Sequence, residues 1–211
     1  MKKADVAEFF KRLQELDPEP VSELKFVNSY TLLVAVVLSA QATDVGVNKA
    51  TKALFEQVRT PQQMLDLGEA GLKQHIKTIG LFNTKTRNVI KLSRQLIDDF
   101  GGEVPADRDQ LETLAGVGRK TANVVMNVAF GEPTFAVDTH VFRISNRTGL
   151  APGKTPLEVE KALEKIVPKP YRMHAHHWLI LHGRYVCTAR KPKCPVCVVH
   201  DLCGFKGKTL A

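Results

Sequence analysis

No stretch of this sequence is apolar for long enough to cross a membrane. The longest apolar run, Tyr30 to Ala40, is shorter than the roughly 20 residues that a spanning helix needs, and it indicates a buried helix. The first residues, MKKADVAEFFKRL, carry charges where a signal peptide would be apolar. We therefore expect a cytosolic protein that has no membrane partner.

Acidic residues are outnumbered by basic ones. The chain has 22 Asp and Glu residues against 30 Lys and Arg residues, so its formal net charge is +8 and its pI is near 9.4. Such a balance favours an anionic partner, most often nucleic acid, although many proteins are basic without one. With 211 residues, 44% of them hydrophobic, the chain is long enough to bury a core, so we expect a folded globular protein.

Alternation of apolar and polar residues, which indicates β-strands, is scarce. Apolar residues recur instead at steps of three and four, as they do in amphipathic helices. Two predicted helices follow the stripes from Val6 to Leu16 and from Val89 to Phe100. Another begins with a cap at Asp44, and the next runs from Thr60-Pro61 to near Gly68. Four more helices are predicted to span 119–130, 139–148, 156–166 and 171–185. We therefore expect an all-α protein.

Cysteine is absent before residue 187. The four cysteines, Cys187, Cys194, Cys197 and Cys203, have the spacing C-x6-C-x2-C-x5-C. Four thiolates can enclose one tetrahedral zinc ion or one iron–sulfur cluster. Zinc sites usually pair two C-x2-C motifs and this segment has one, so the spacing disfavours a zinc ribbon but does not choose the metal. The alternative, two disulfides or four unbound thiols, is disfavoured in the cytosol.

Two glycines and two cations stand together in the segment LAGVGRKTANVV, residues 114–125. The pattern indicates a helix–hairpin–helix motif, in which Gly116 and Gly118 let a ligand approach the backbone closely. Backbone N–H groups of such a turn can bind a phosphate at the positive end of the next helix, where Arg119 adds a charge.

Lys120 and Asp138 each have two interpretations. Lys120 is either a second phosphate-binding cation or a nucleophilic amine, which must be neutral to attack carbon. Burial, Arg119 and the helix N-terminus would each favour the neutral form. Asp138, in FAVDTHVFRISNRTG, is predicted to cap the helix that opens at Thr139, and its carboxylate could also accept a proton or stabilise positive charge on a sugar.

Three motifs in this order, LAGVGRKTANVV, VDTHVFRISNRTGL and C-x6-C-x2-C-x5-C, closely resemble the endonuclease III family over essentially the whole chain. These bacterial base-excision DNA glycosylases also cleave abasic sites. The resemblance implies two all-α lobes with DNA across the cleft between them. One is a six-helix lobe, residues 22–132, which contains the hairpin. The other combines residues 1–21 and 133–211 and carries a [4Fe–4S] cluster on the cysteines of the loop 187–203.

The resemblance also implies roles for single residues. Lys120 would be the nucleophile and Asp138 the essential carboxylate. The substrate would be double-stranded DNA that contains an oxidised pyrimidine such as thymine glycol, or an abasic site cleaved by β-elimination through a lysine Schiff base. Gln41 would fill the space of the flipped base and Leu81 would wedge into the opposite strand. Their ordinary alternatives are a polar residue at a helix end and a core leucine.

The basic run Arg190-Lys191-Lys193 is predicted to reach DNA phosphates, with Lys191 as the representative contact, although such runs are usually solvated surface. The histidines 174, 176 and 177 suggest a metal site, but no partner ligands are evident, and we interpret them as packing residues of a helix. We expect a monomer that acts in the cytoplasm at the nucleoid.

Two rival functions remain open. An adenine-mismatch glycosylase without lyase activity is one, but that branch has no catalytic lysine in the hairpin and has an added C-terminal recognition domain, so Lys120 and the end at Ala211 argue against it. The other is a non-enzymatic DNA-binding iron–sulfur module, in which Asp138 would be incidental. Nicking of a duplex that contains an abasic site separates both rivals from the first interpretation.

Overall fold

The computed structural model describes residues 1–209, and this part of the chain contains helices and no β-strand. The helices are α1 (Lys3–Leu16), α2 (Ser29–Ser39), α3 (Asp44–Gln57), α4 (Pro61–Ile76), α5 (Phe82–Phe100), α6 (Arg108–Thr113), α7 (Arg119–Phe130), α8 (Thr139–Thr148), α9 (Pro156–Ile166) and α10 (Arg172–Tyr185). Short 3-10 turns cover Lys169–Tyr171 and Cys194–Val196. The all-α prediction is confirmed. No helix within residues 1–209 has both the length and the apolar character that membrane crossing requires.

The chain divides into two compact units. One comprises Ser22–Gly131 and holds the six helices α2 to α7; the other comprises Met1–Val21 and the chain from Glu132 onward. Glu132 belongs to the second of these units, because α7 ends at Gly131, whose φ of 69° turns the chain out of the helix. The last two residues of the predicted segment 133–211 lie outside the described residues.

Helix α2 is the centre of the six-helix unit. Its residues from Tyr30 to Leu38 are all buried, because α3, α5 and α7 pack around it. Polar contacts are also enclosed in this core, and in one of them the Tyr30 hydroxyl lies 2.6 Å from Oγ of Ser93 on α5. The prediction of a buried helix is confirmed, and its apolar surface on every side is what organises the other five helices.

The second unit is built on α1, α8, α9 and α10. Phe9 and Phe10 of α1 are fully buried against this core. Polar contacts join α1 and its C-cap Asp17 to the rest of the unit: Trp178 Nε1 donates to Asp17 O at 2.7 Å, and Arg12 donates to Asp201 Oδ1 and Val198 O at 2.6 and 2.9 Å. Helix α1 therefore fastens the segment that contains the cysteines.

Two predicted helix ends are wrong in detail. Thr43, not Asp44, caps α3, because the extended Thr43 accepts the Gly46 N–H on its hydroxyl at 3.1 Å while Asp44 is already helical. Helix α4 does not stop at Gly68. It kinks there, with a φ of 69°, and then continues to Ile76, because Leu72 and Ile76 bury a second apolar face.

Candidate active site

The predicted hairpin is formed by α6, residues 114–118 and α7. Gly116 has a φ of 80°, and a Cβ at this position would lie 2.8 Å from Nδ2 of Asn88. Gly118 is the N-cap of α7 with an ordinary φ of −105°, and no other part of residues 1–209 comes within 4 Å of a Cβ built there. Gly116 is therefore required by its own backbone and packing, whereas Gly118 leaves open space above the start of α7.

The hairpin presents unpaired N–H groups. Within the described chain, no acceptor faces the N–H of Gly116 or Gly118, whereas Val117 donates to Leu114 O at 3.1 Å and Ala115 donates to Oε1 of Gln95 at 2.8 Å. The start of α7 carries the positive end of the helix dipole. Free donors at a helix N-terminus are a site for an anion such as a phosphate.

Lys120 occupies the first turn of α7 next to Arg119. Lys120 is exposed. Arg119 is partly exposed and lies 3.9 Å from Oε1 of Glu112. Arg119 and the N-terminus of α7 lie beside Lys120, whose side chain is open to solvent.

Asp138 is the N-cap of α8, as its sequence context predicts. Its Oδ1 accepts the N–H groups of His140 and Val141 at 2.8 and 2.9 Å. Across residues 1–209, no donor bonds the second carboxylate oxygen, Oδ2. The cap therefore uses one oxygen and leaves the other available for chemistry. Lys120 lies in the six-helix unit and Asp138 in the other unit.

Gln41 and Leu81 share an unusual backbone conformation. They are the two residues other than glycine with positive φ in residues 1–209, at 53° and 58°. A left-handed conformation of this kind costs about 1–3 kcal/mol and is concentrated at functional sites. The two loops are adjacent, because a Cβ on Gly80 would lie 3.9 Å from Gln41 O. Leu81 is 58% exposed, so the alternative of a core leucine is wrong.

The four cysteines line one cavity. All four are free, and the pKa of the Cys197 thiol is raised, first by burial and then by the charges of the other three. Within residues 1–209 no group of three or more His, Cys, Asp or Glu side chains is arranged as it stands to hold a metal ion. The two-disulfide alternative does not describe this structure.

The chain matches known DNA repair proteins over most of its length. Residues 34–169 match the model of the HhH-GPD superfamily of base excision DNA repair proteins, and residues 187–203 match the iron–sulfur binding domain of endonuclease III. Endonuclease III of Haemophilus influenzae is 58% identical and that of Escherichia coli K12 57% identical, each over 99% of both chains. The chain belongs to the endonuclease III family.

Solved structures agree with this assignment. A trapped covalent intermediate of an endonuclease III with DNA superimposes with a TM-score of 0.90 at 48% identity, covering 97% of this chain and 96% of that one. A thermostable thymine-DNA glycosylase superimposes with a TM-score of 0.83 at 27% identity, covering 96% and 95%. As a member of the endonuclease III family with its iron–sulfur domain, this chain binds an iron–sulfur cluster.

Two arginines of α8 hold the beginning of the cysteine segment, and sequence reasoning missed both. Arg143 donates to Gly183 O at 2.8 Å and to Cys187 O at 3.0 Å. Arg147 donates to the carbonyls of Thr188 and Ala189 at 2.7 and 2.6 Å, and its guanidinium lies 4.9 Å from the ring centre of Phe205. The spacing of four residues, which puts both on one helix face, was the available signal.

The sulfurs themselves have donors nearby. Arg147 Nη1 lies 3.8 Å from Cys187 Sγ, the Phe205 N–H donates to Cys203 Sγ at 3.5 Å, and Nε2 of His182 lies 3.4 Å from Cys197 Sγ. Burial lowers the pKa of His182 to about 4, so its ring is neutral near pH 7. Cysteine thiolates that accept hydrogen bonds are the usual ligands of an iron–sulfur cluster. The residues around the four sulfurs therefore fit such a cluster.

The remaining predicted residues lie on the surface or in packed helix faces. Lys191 is exposed in a loop, and the Thr188 hydroxyl donates a hydrogen bond to Lys191 O at 2.6 Å within that loop. Of the histidines, His174 packs on Trp178 with ring centres 5.7 Å apart, and the rings of His176 and His177 lie 3.9 Å apart. The three histidines are therefore part of the packing of α10.

Proposed function

We propose that this chain excises oxidised pyrimidines such as thymine glycol from duplex DNA and then cleaves the resulting abasic site by β-elimination. As an endonuclease III family member it is a base excision DNA glycosylase with abasic-site lyase activity. The observation that carries the specific proposal is the exposed amine of Lys120 in the first turn of α7, next to the unpaired N–H groups of the hairpin.

DNA binding is proposed to begin with phosphates. The N–H groups of Gly116 and Gly118 and the charge of Arg119 would hold one phosphate, and Lys191 would contact another. These contacts carry no sequence information, so they position the duplex without choosing a base. One chain supplies every residue named here, and we propose that it acts as a monomer in the bacterial cytoplasm, at the nucleoid.

Access to the base is proposed to depend on the two adjacent strained loops. A base inside a duplex is unreachable until it is flipped out of the stack. The exposed Leu81 would enter the opposite strand as an apolar wedge, and Gln41 would occupy the space that the flipped base leaves. Left-handed conformations at both residues support this role, because backbone strain is retained where function requires a residue to project.

The chemistry is proposed to start at Nζ of Lys120. The neutral amine forms a bond to C1′ of the sugar as the glycosidic bond breaks, and the base leaves with the bonding electrons and takes up a proton. Opening of the sugar gives a protonated imine. This imine makes the C2′ proton acidic, so the proton is lost and the 3′ phosphate leaves with the electrons of its C–O bond. Water then hydrolyses the imine and restores Lys120.

Asp138 is proposed to assist the first step. Oδ1 is engaged by the N-terminus of α8, which fixes the carboxylate, and Oδ2 has no donor within the described residues. That oxygen would accept the proton that Lys120 must lose, or stabilise positive charge on the sugar as the base departs.

The four cysteines are proposed to be the ligands of a [4Fe–4S] cluster. When bound, the cluster supplies four iron–thiolate bonds that close residues 187–203 into a fixed loop. β-Elimination transfers no net electrons, so the residues of the active site complete the reaction without it. The loop carries Lys191, and the cluster would thereby set the position of a DNA contact.

Substitution of Cys197 by Ser is expected to lower the iron and sulfide content of the purified protein and to loosen the loop. Cys197 is half-buried, and its Sγ lies 3.4 Å from Nε2 of His182. Its replacement by Ser would remove one of the four proposed thiolate ligands. Iron analysis and limited proteolysis within residues 187–203 check this, with the native chain as the reference. One zinc and no iron in anaerobically prepared native protein would contradict the ligand proposal.

The proposed function is tested by two labelled duplexes, one with a thymine glycol and one with an abasic site. Base release followed by nicking of both is expected. Nicking of neither duplex, with intact binding, would support a non-enzymatic DNA-binding module. Release of adenine from a mismatch without nicking would support the adenine-mismatch alternative.

Leu81→Ala is expected to slow excision from duplex DNA by about tenfold while slowing excision from a single strand much less, because only the duplex must be unstacked. Single-turnover rates on both substrates measure the difference. Val45→Ala is a matched control, since Val45 is also an exposed aliphatic residue of the six-helix unit. Equal losses on duplex and single strand would remove the wedge role from Leu81.

A further inference from the structure

Helix α5 supports the hairpin through a side chain to which no role has yet been assigned. Gln95 makes two hydrogen bonds to residues on either side of Leu114: its Nε2 donates to Thr113 O at 3.1 Å, and its Oε1 accepts the Ala115 N–H at 2.8 Å. These two backbone groups flank the point where α6 ends and the hairpin begins. A single side chain thus determines the direction in which the chain leaves α6.

A second residue of α5 supports the same turn. Asn88 lies directly beneath Gly116, where an added Cβ would come within 2.8 Å of its Nδ2 and 3.0 Å of its Cβ. Asn88 and Gln95 are seven positions apart, close to two helical turns, so both project from the same face of α5. The hairpin therefore rests on one stripe of a nineteen-residue helix.

We propose that Gln95 is a positioning residue for the phosphate-binding hairpin. It fixes the turn so that the N–H groups of Gly116 and Gly118 point at one phosphate, and this rests on the DNA-binding role of the hairpin proposed above. Anion binding by backbone donors depends on their convergence, because a donor that points away from the phosphate contributes no bond. Gln95 acts before the chemistry and touches neither DNA nor the sugar.

The chain contains a matched control for Gln95. Asn48 makes the same pair of bonds elsewhere in the six-helix unit: its Nδ2 donates to Glu23 O at 2.8 Å, and its Oδ1 accepts the Lys25 N–H at 2.8 Å. Both side chains are half-buried and bridge backbone groups two residues apart. Gln95→Met and Asn48→Leu remove the same bonds while keeping similar side-chain shapes, so a purely structural role predicts the same outcome for both.

The test compares KM, kcat and the salt dependence of binding on an abasic-site duplex, with the melting temperature measured alongside. Both variants are expected to melt a few degrees lower. Gln95→Met is expected to raise KM about tenfold, the effect of about one net hydrogen bond, with kcat within about twofold. The slope of log K against log salt is expected to fall by about one unit. Asn48→Leu is expected to leave KM and the slope unchanged.

A third variant separates this proposal from the hairpin assignment on which it rests. Gly118→Ala adds a Cβ in open space, so it leaves folding intact and obstructs only an approaching phosphate. An unchanged slope for Gly118→Ala would overturn both proposals. A changed slope for Gly118→Ala with Gln95→Met matching Asn48→Leu would overturn the role of Gln95 alone. If Gln95→Met does not fold, Asn88→Ala takes its place in the test, because it withdraws the support beneath Gly116. Asn88→Ala is expected to show the same rise in KM, and an unchanged KM also overturns the proposal.

Discussion

Lys120→Gln is expected to abolish strand cleavage and covalent trapping of the protein on DNA. Borohydride added during the reaction reduces an imine between protein and sugar, and the adduct then survives denaturing electrophoresis. Only an amine forms that imine, and glutamine has none, so the loss should be complete within detection rather than partial. DNA binding should remain close to native, because a polar side chain of similar length stays in the first turn of α7.

The control for this variant is Lys91→Gln, which removes an exposed amine from α5. Its adduct and its cleavage rate are expected to match those of the native chain. If Lys120→Gln still forms the adduct, the assignment is falsified and another amine is the nucleophile. Lys85 would then be the first to test, because its Nζ is buried without a partner among the described residues and burial lowers its pKa.

Much of the fold follows from local signals near helix ends. The predicted bounds 119–130, 139–148 and 156–166 are those of α7, α8 and α9, because a cap or a left-handed glycine marks each of these helices. Asp138 and Thr155 cap α8 and α9, and Gly131 and Gly149 end α7 and α8. These signals act over a few residues of the chain, so they can be recognised without knowledge of the tertiary structure.

The parts of the candidate site that sequence reasoning missed depend on contacts between distant segments. Gln95 meets Thr113 and Ala115, and Arg147 meets Thr188 and Ala189. Nothing in the sequence around Gln95 or Arg147 predicts these hydrogen-bond partners. The sequence left the exposure of Lys120 open, because burial is a property of the packed unit and not of the segment around the residue.

Leu81 is the clearest case of a residue whose exposure could not be predicted from the sequence around it. Leucine side chains are most often buried, so the sequence alone favoured a core leucine over a wedge. Its left-handed φ of 58° and 58% exposure arise because Leu81 caps the nineteen-residue helix α5 immediately after Gly80. The wedge role of Leu81 stays a prediction that comes from the family resemblance.

Asp138→Asn is expected to slow release of an oxidised base by about a hundredfold or more, the loss typical of a missing general base or charge stabiliser. The asparagine carbonyl oxygen can still accept the N–H groups of His140 and Val141, so the cap of α8 and the binding of damaged DNA should persist. Asp107→Asn is the matched control. Asp107 caps α6 by accepting the Gln110 N–H at 2.8 Å, and it loses the same charge at the same kind of position.

The comparison of two substrates makes the role of Asp138 specific. A pre-formed abasic site has already lost its base, so the step that needs stabilisation of positive charge at the sugar is absent. Asp138→Asn should therefore cleave an abasic duplex with a smaller loss than it shows on thymine glycol, whereas Asp107→Asn should match the native rate on both. Single-turnover rates for the two duplexes measure the ratio. Equal losses on both substrates would move Asp138 from base release to a step that both substrates share, such as proton transfer from Lys120 during imine formation.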